Sequence, residues 1–161
     1  MKHTLSVLVE NKPGVLTRIA GLFARRNFNI DSLAVGETED PRYSRMTITV
    51  DGQAQPIEQV TKQLHKLVNV LKINDLDPAT TLQRELVLMK VAADSSSRAE
   101  VMQLAGIFRA KVIDVSPQSV VVEVTGDTGK VEALTRVLQP FGIIELVRTG
   151  KIAISRGKQP T

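Results

Sequence analysis

The chain runs twice through the same order of hydrophobic patterns, and this repeat constrains its fold more than any other feature. Leu5, Val7 and Val9 place apolar side chains at every second position, which is typical of a strand with one buried face. Residues 16–23 switch to apolar spacing of i, i+3, i+4 and i+7, which is typical of an amphipathic helix. Two more strand patterns, a second helix and a final strand follow, so residues 1–76 read as β-α-β-β-α-β.

Residues 84–161 repeat that order with little residue identity to the first half. The intervening "DPATTLQ", residues 77–83, has the composition of a linker. A β-α-β-β-α-β order defines the ferredoxin-like motif. We therefore expect an α+β protein with two ferredoxin-like domains in tandem, at 1–76 and 84–161. Because each domain is small, we expect both to depend on docking or oligomerisation to bury enough surface.

Local patterns predict further details of each half. The apolar phase slips between Ile30 and Leu33, which indicates a bulge in the second strand. Ser97 and Glu100 have the spacing of a capping box at the start of a helix. The first helix is expected to bury Leu16, Ile19, Ala20 and Phe23, and the third strand to turn Met46, Ile48 and Val50 inward with Thr47 and Thr49 opposite.

The net charge of +4 raises nucleic acid as a partner, but the position of the charge argues against it. Residues 148–158 carry four basic side chains and no acid, which equals the whole surplus. Aromatic residues make up 3%, too few for a platform that stacks on single strands. A solvated basic tail is the simpler interpretation.

Composition also limits the compartment and the chemistry. The absence of cysteine excludes disulfides and thiolate chemistry and is compatible with a reducing cytosol. No apolar run reaches membrane-spanning length, and the first residues lack the apolar core of a signal peptide, so a cytoplasmic location is expected.

Catalytic and cofactor motifs are missing from the sequence. Its only histidines, His3 and His65, have no ligand spacing between them. The "GDTGKV" stretch ending at Val131 lacks the Ser or Thr of a phosphate loop, and neither GxGxxG nor GxSxG occurs. We expect no catalytic residue, no metal site and no cofactor in this chain, and hence a binding or regulatory function.

The "NKPG" stretch between the first strand and the first helix is the strongest candidate for a binding site. Pro13 fixes the entry into the helix, and Gly14 lets another molecule approach the backbone. The amides of Val15 and Leu16 lack helical partners and suit a carboxylate, while Asn11 offers a donor and an acceptor. A small ligand with a carboxylate and an ammonium fits this set. An ordinary helix start would have the same residues.

Several longer stretches carry a resemblance to a known family. They include "KQLHKLVNVLKINDL", "RELVLMKV", "GIFRAKVIDVSP" and "RTGKIAISRG". The most specific is "RRNFNIDSLAVGETED" followed by "SRMTI". With the "NKPGVL" loop, they make the chain resemble the small regulatory subunits of acetolactate synthase (acetohydroxyacid synthase) over nearly its whole length. The first half resembles an ACT domain, a ferredoxin-like module that senses small molecules.

That resemblance implies a function. Such subunits bind a catalytic subunit that joins two pyruvates, or pyruvate and 2-ketobutyrate, at the start of branched-chain amino-acid synthesis. They raise its activity and confer feedback inhibition, usually by valine. Thiamine diphosphate, FAD and magnesium belong to the catalytic partner.

It also implies where an effector binds. The effector of this family lies between two ACT domains, so a homodimer is expected. Asn11, Gly14, Val15 and Leu16 would come from one subunit, and Asn29 and Ile30 from the other. Whether valine, leucine or isoleucine binds best stays open, since one methylene in an apolar pocket is worth only about 1–3 kcal/mol. The alternative hypothesis is an amino-acid-responsive regulator that binds nucleic acid.

Overall fold

The computed structural model of the chain describes residues 2–52 and 56–161. These fall into two compact units. The first comprises the residues up to Leu82 together with Lys151–Thr161, and the second comprises Gln83–Gly150.

The first unit is a four-stranded antiparallel sheet with two helices packed on one face. Its strands lie in the order β2-β3-β1-β4. Alternate residues of the strands and one face of each helix form its core, which includes Leu5, Ile48 and Phe23. The elements are β1 (Lys2–Glu10), α1 (Val15–Arg25), β2 (Ile30–Glu37), β3 (Tyr43–Asp51), α2 (Ile57–His65) and β4 (Val70–Asp75).

The second unit has the same topology around a core of its own. Its strands lie in the order β6-β7-β5-β8, and β9 pairs with β5, whose first residues lie in the first unit. The elements are β5 (Thr81–Ala92), α3 (Arg98–Ile107), β6 (Lys111–Ser116), β7 (Ser119–Gly126), α4 (Thr128–Leu138) and β8 (Ile143–Arg148). The last strand, β9 (Ile152–Ser155), belongs to the first unit. The prediction of two ferredoxin-like β-α-β-β-α-β arrangements in tandem is confirmed.

The limits of the two units differ from the expected domain limits of 1–76 and 84–161. A short 3-10 turn occupies Pro78–Thr80 and β5 begins at Thr81, inside the expected linker 77–83. The last eleven residues pack with the first unit. The amide of Lys151 donates to Oγ of Ser32 (2.9 Å), and the amide of Arg156 donates to the carbonyl of Thr80 (2.8 Å). Residues 151–161 are therefore not simply a solvated tail.

The structure corrects the predicted face of α1. Its buried residues are Val15, Ile19, Leu22 and Phe23. Leu16, expected in the core, is 42% exposed. Residues 15, 19, 22 and 23 satisfy helical spacing as well as the predicted set does. The stripe therefore lies one position earlier at the start of the helix, and this leaves an apolar side chain at the surface.

Two strand predictions have different outcomes. The pairing of β2 with β3 shifts register between Ile30 and Ser32, which confirms the predicted bulge. Met46, Ile48 and Val50 are buried as expected. Thr47 and Thr49 are also buried, each at 3% exposure, so both faces of β3 are covered.

The predicted capping box of Ser97 and Glu100 is wrong. Ser97 makes no side-chain cap to the helix. The reciprocal bonds join Asp94 and Ser97 instead, because Asp94 Oδ1 accepts from the Ser97 amide (3.1 Å) and Ser97 Oγ accepts from the Asp94 amide (3.2 Å). Asp94 therefore takes the first position of the box, three residues before the predicted one. Ser97 takes the second position, which Glu100 was expected to occupy.

Candidate functional site

Asn11 joins the two loops at one end of the first sheet. Its Nδ2 donates to the carbonyl of Pro41 (3.0 Å) and to Oε1 of Glu37 (3.3 Å), and its backbone amide donates to the carbonyl of Arg42 (2.8 Å). Both amide hydrogens are therefore used within the chain. Within residues 2–52 and 56–161 its Oδ1 has no hydrogen-bond donor, so Asn11 presents an acceptor.

Gly14 forms the N-cap of α1 in a left-handed conformation, with φ of 85° and ψ of −10°. A Cβ built at this position would meet no atom within 4 Å. Glycine is suited to this conformation because it lacks the side chain that makes it costly. The backbone at the helix start is consequently open to another molecule.

The amides of the first turn are partly free. The Val15 amide makes a long bond to the carbonyl of Lys12 (3.4 Å). Gly14 and Leu16 have no acceptor for their amides among the described residues. Val15 points its side chain into the core, whereas Leu16 exposes its own beside the open glycine. The helix start therefore offers free N–H groups and an apolar side chain, which suit a carboxylate with a short hydrocarbon group.

Asn29 and Ile30 lie at the opposite end of the same sheet. Ile30 pairs with Val50, which pairs with His3 at the start of β1. The stretch of β1 from His3 to the Asn11 loop spans more than roughly 20 Å. Asn29 donates to Asp31 Oδ1 (2.9 Å), and Ile30 packs against the core. One chain brings Asn11, Gly14, Val15 and Leu16 together and keeps Asn29 and Ile30 apart from them.

A cavity of about 400 Å³ lies beside Asn11. Its other lining residues are Glu10, Lys12, Arg42, Tyr43 and Leu71. Arg42 and Tyr43 were not among the residues predicted for the site. No local pattern marks them, because their position beside Asn11 depends on the pairing of Glu10 in β1 with Tyr43 in β3.

Charges around this cavity are already paired. Lys12 Nζ lies 2.7 Å from Glu10 Oε2, and Arg42 Nη2 lies 2.6 Å from Asp40 Oδ2. The hydrogen bond from the Arg42 side chain lowers the pKa of the Asp40 carboxyl, and the same bond raises the pKa of Arg42. Each of these basic side chains is already neutralised by an acidic one. A ligand in this cavity would therefore be recognised by the Asn11 oxygen and the free amides.

Neither histidine lies in a metal-binding group of the described residues. His3 Nδ1 lies 3.0 Å from Asp75 Oδ2 at an exposed position. No group of three or more His, Cys, Asp or Glu side chains that could hold a metal occurs in the described part of the chain. Within the same residues, no helix combines the length and the hydropathy needed to cross a bilayer.

Both units match models of one family. Residues 5–72 match the acetohydroxyacid synthase small subunit-like ACT domain, and residues 84–157 match a domain described as the small subunit of acetolactate synthase.

Individual relatives agree with these matches. The chain is 59% identical over 155 residues to the acetolactate synthase small subunit of Mycobacterium bovis, covering 96% of this chain and 92% of that one. It is 53% identical over 158 residues to a probable acetolactate synthase small subunit of Methanothermobacter thermautotrophicus, covering 98% and 94%. The crystal structure of the acetolactate synthase small subunit of Thermotoga maritima superposes with a TM-score of 0.88 at 45% identity, covering 99% of both chains. The chain belongs to the family of acetolactate synthase small subunits, and its first unit is an ACT domain.

Proposed function

We propose that this chain is a regulatory subunit that activates the catalytic subunit of acetolactate synthase and confers feedback inhibition by valine. Membership of the small-subunit family supports a regulatory role in that enzyme. The catalytic subunit would join two pyruvates, or pyruvate and 2-ketobutyrate, using its own thiamine diphosphate, FAD and magnesium. This chain would contribute sensing and activation and no catalytic group.

The valine site would be built on the open start of α1. The carboxylate of valine would accept from the free amides of Gly14 and Leu16, and its ammonium would donate to Oδ1 of Asn11. The exposed side chain of Leu16 would cover part of the isopropyl group. The open space at Gly14 beside free amides and the unpaired Asn11 oxygen is the observation that carries the proposal.

A second copy of the chain would complete the site. β2 is an edge strand, so its outer hydrogen-bonding groups are available for pairing across a twofold axis. Antiparallel pairing of two β2 strands would bring Ile30 of one copy beside Glu37 of the other. Glu37 contacts Asn11. This arrangement supports a shared pocket in which Asn29 and Ile30 come from the second copy.

Reconstitution with the catalytic subunit tests the proposal. The chain alone should form no acetolactate from pyruvate, and the mixture should form more than the catalytic subunit alone. Valine should then suppress the added activity. Calorimetric titration with valine, leucine and isoleucine would rank the effectors. Steeply salt-dependent retention on DNA without amino-acid binding would favour the nucleic-acid alternative instead.

A further inference from the structure

The second unit contains a cavity that the proposed function does not use. Its volume is about 660 Å³, within the range of about 300–1,000 Å³ that is usual for small-molecule sites. It lies among the first residues of β5, the end of β8 and α4 with the turn that follows it. The lining residues are Glu85, Thr128, Val131, Glu132, Thr135, Arg136, Gln139, Pro140 and Arg148.

Glu85 places a buried carboxylate in the wall of this cavity. It shares the inward face of β5 with Val87, Met89 and Val91, all of them at 0% exposure. The Glu85 side chain is itself only 2% exposed. A charged residue at an inward position of a strand is unusual, since acidic side chains are rarely buried unless paired.

The Glu85 carboxylate is poorly compensated by the protein. Its Oε1 lies 3.9 Å from Nη1 of Arg148, which is beyond hydrogen-bond distance. Its Oε2 is fully buried and has no hydrogen-bond partner among the described residues. A buried carboxylate oxygen without a donor is unfavourable, and a charged N–H donor from a ligand would remove that penalty.

The charges of the cavity wall are balanced. Glu85 and Glu132 are opposed by Arg136 and Arg148, so a ligand with one charge of each sign is favoured over a simple anion or cation. Arg148 is half exposed, and its side chain has no ion-pair partner among the described residues other than Glu85 at 3.9 Å. The start of α4 is already capped by Asp127, which accepts from the Lys130 amide (2.9 Å). Recognition therefore depends on the side chains of the cavity.

We propose that this cavity binds a small α-amino acid with an uncharged side chain. The Glu85 carboxylate turns its unpaired oxygen into the cavity and accepts from the ligand ammonium, and the ligand carboxylate pairs with Arg148 and Arg136. Val131 and Pro140 supply the apolar surface against which a short side chain packs. The site lies wholly in the second unit and does not depend on valine binding at the start of α1.

Methyl NMR of the full chain tests this site separately from the first. The probes are glycine, L-alanine, L-valine, L-leucine, L-isoleucine and L-threonine at millimolar concentration. The methyl signals of Val131 report on the cavity of the second unit, and those of Val15 report on the start of α1. At least one probe is expected to move the Val131 signals saturably. Movement at Val15 alone, with Val131 unaffected by all six, would overturn the inference while leaving the proposed function intact.

Variants identify the groups that bind the ligand. Glu85→Gln should weaken the response at Val131 by about tenfold to a hundredfold, as expected for loss of a charge-assisted hydrogen bond. Glu123→Gln, the same change on β7 outside the cavity lining, should leave it unaltered. Arg148→Gln should weaken binding by a similar factor. It provides the same test if Glu85→Gln does not fold. Unchanged affinity in the folded Glu85→Gln or Arg148→Gln variant would contradict the site.

Analogues that lack one charge provide the final check. Isobutylamine keeps the ammonium of valine, and isovalerate keeps its carboxylate. Both should bind at the cavity at least about tenfold more weakly than the best amino acid, since each loses one charged contact. An analogue binding as tightly as the amino acid would show that the cavity does not recognise a zwitterion.

Discussion

The side-chain nitrogen of Asn11 lies 3.0 Å from the carbonyl oxygen of Pro41, and this bond fixes the orientation of the Asn11 amide. The nitrogen must face the carbonyl, so the oxygen is directed away from it. A residue that was expected to give a ligand both a donor and an acceptor can therefore give only the acceptor. The ammonium group of valine is a hydrogen-bond donor that could bind to this oxygen.

Asn11→Ala should weaken valine binding by about tenfold to a hundredfold, because it removes a hydrogen bond to a charged group. It also removes the bonds to Pro41 and Glu37, so we expect the free energy of unfolding to fall by about 1 kcal/mol. Calorimetric titration and urea unfolding would measure the two effects. A variant that loses the stability but keeps wild-type valine affinity would exclude Asn11 from the site.

Gly14→Asp should abolish valine inhibition, because its side chain would occupy the open space at the helix start and repel the valine carboxylate. The readout is acetolactate formation by the reconstituted complex against rising valine. Activation of the catalytic subunit should persist if its docking surface lies away from this loop.

Gly157→Asp is the matched control for Gly14→Asp. Gly157 has the same φ of 85° and also has no atom within 4 Å of a built Cβ. It therefore carries the same backbone strain at a place remote in sequence from the loop. If Gly157→Asp removes valine inhibition as fully as Gly14→Asp does, strain and not ligand exclusion explains the effect. If Gly14→Asp keeps valine inhibition, the effector does not bind at this loop, and "NKPG" is an ordinary helix start.

Val35→Lys should disrupt the proposed homodimer and weaken valine binding together. Val35 is 46% exposed on the edge strand β2, where a charge disfavours strand pairing. Sedimentation at micromolar concentration should show a shift towards monomer. Val68→Lys, at an 83% exposed position outside β2, should leave both properties unchanged. Monomeric Val35→Lys with full valine affinity would contradict the shared pocket.

Glu85→Met should leave the second unit as stable as the wild type or raise its free energy of unfolding by up to about 4 kcal/mol. Replacement of a buried, weakly paired charge by an apolar side chain of similar size is often neutral or stabilising. Urea unfolding would measure it, and Glu123→Met, outside the cavity, should change stability by no more than about 0.5 kcal/mol. A marked loss in Glu85→Met would mean that the carboxylate is better compensated than its geometry shows.

Asp94 should titrate below its ordinary value. Its side-chain hydrogen bond with Ser96, followed by bonds from the Ser96 and Ser97 amides, lowers the pKa of the Asp94 carboxyl. Because the folded pKa is the lower one, its contribution to stability is fully present above the unfolded-state pKa of about 3.9 and is lost as pH falls through the folded value. Carboxyl NMR titration would measure the pKa, and Ser96→Ala should raise that of Asp94 without moving that of Asp40.

The repeated topology was predictable because strand and helix periods are properties of short segments. The start of α1 was harder, since Val15 and Leu16 both fit a helical stripe and only packing decides between them. The cover over Thr47 and Thr49 could not be predicted, because strand alternation reports one buried face and says nothing about what lies on the other.

Other features depended on long-range pairing. The bond between Lys151 and Ser32 joins segments far apart in sequence, so local patterns could not show that residues 151–161 cluster with the first unit. The Asn11 loop was identified as a candidate from its residue types, but its neighbours Arg42 and Tyr43 required the register of β1 and β3. The inward position of Glu85 was predictable, because Glu85 is in phase with Val87 and Met89 in "RELVLMKV".

The position of residues 151–161 has a consequence for biosynthesis. These residues follow the whole second unit along the chain, yet they bond to Ser32 and Thr80 of the first. During translation the ribosome must finish Gln83–Gly150 before the first unit can acquire these bonds. A nascent chain halted at Leu82 would therefore hold an ACT domain whose Ser32 hydroxyl has not yet met the Lys151 amide. The first unit would then be completed only after synthesis of the unit that interrupts it in sequence.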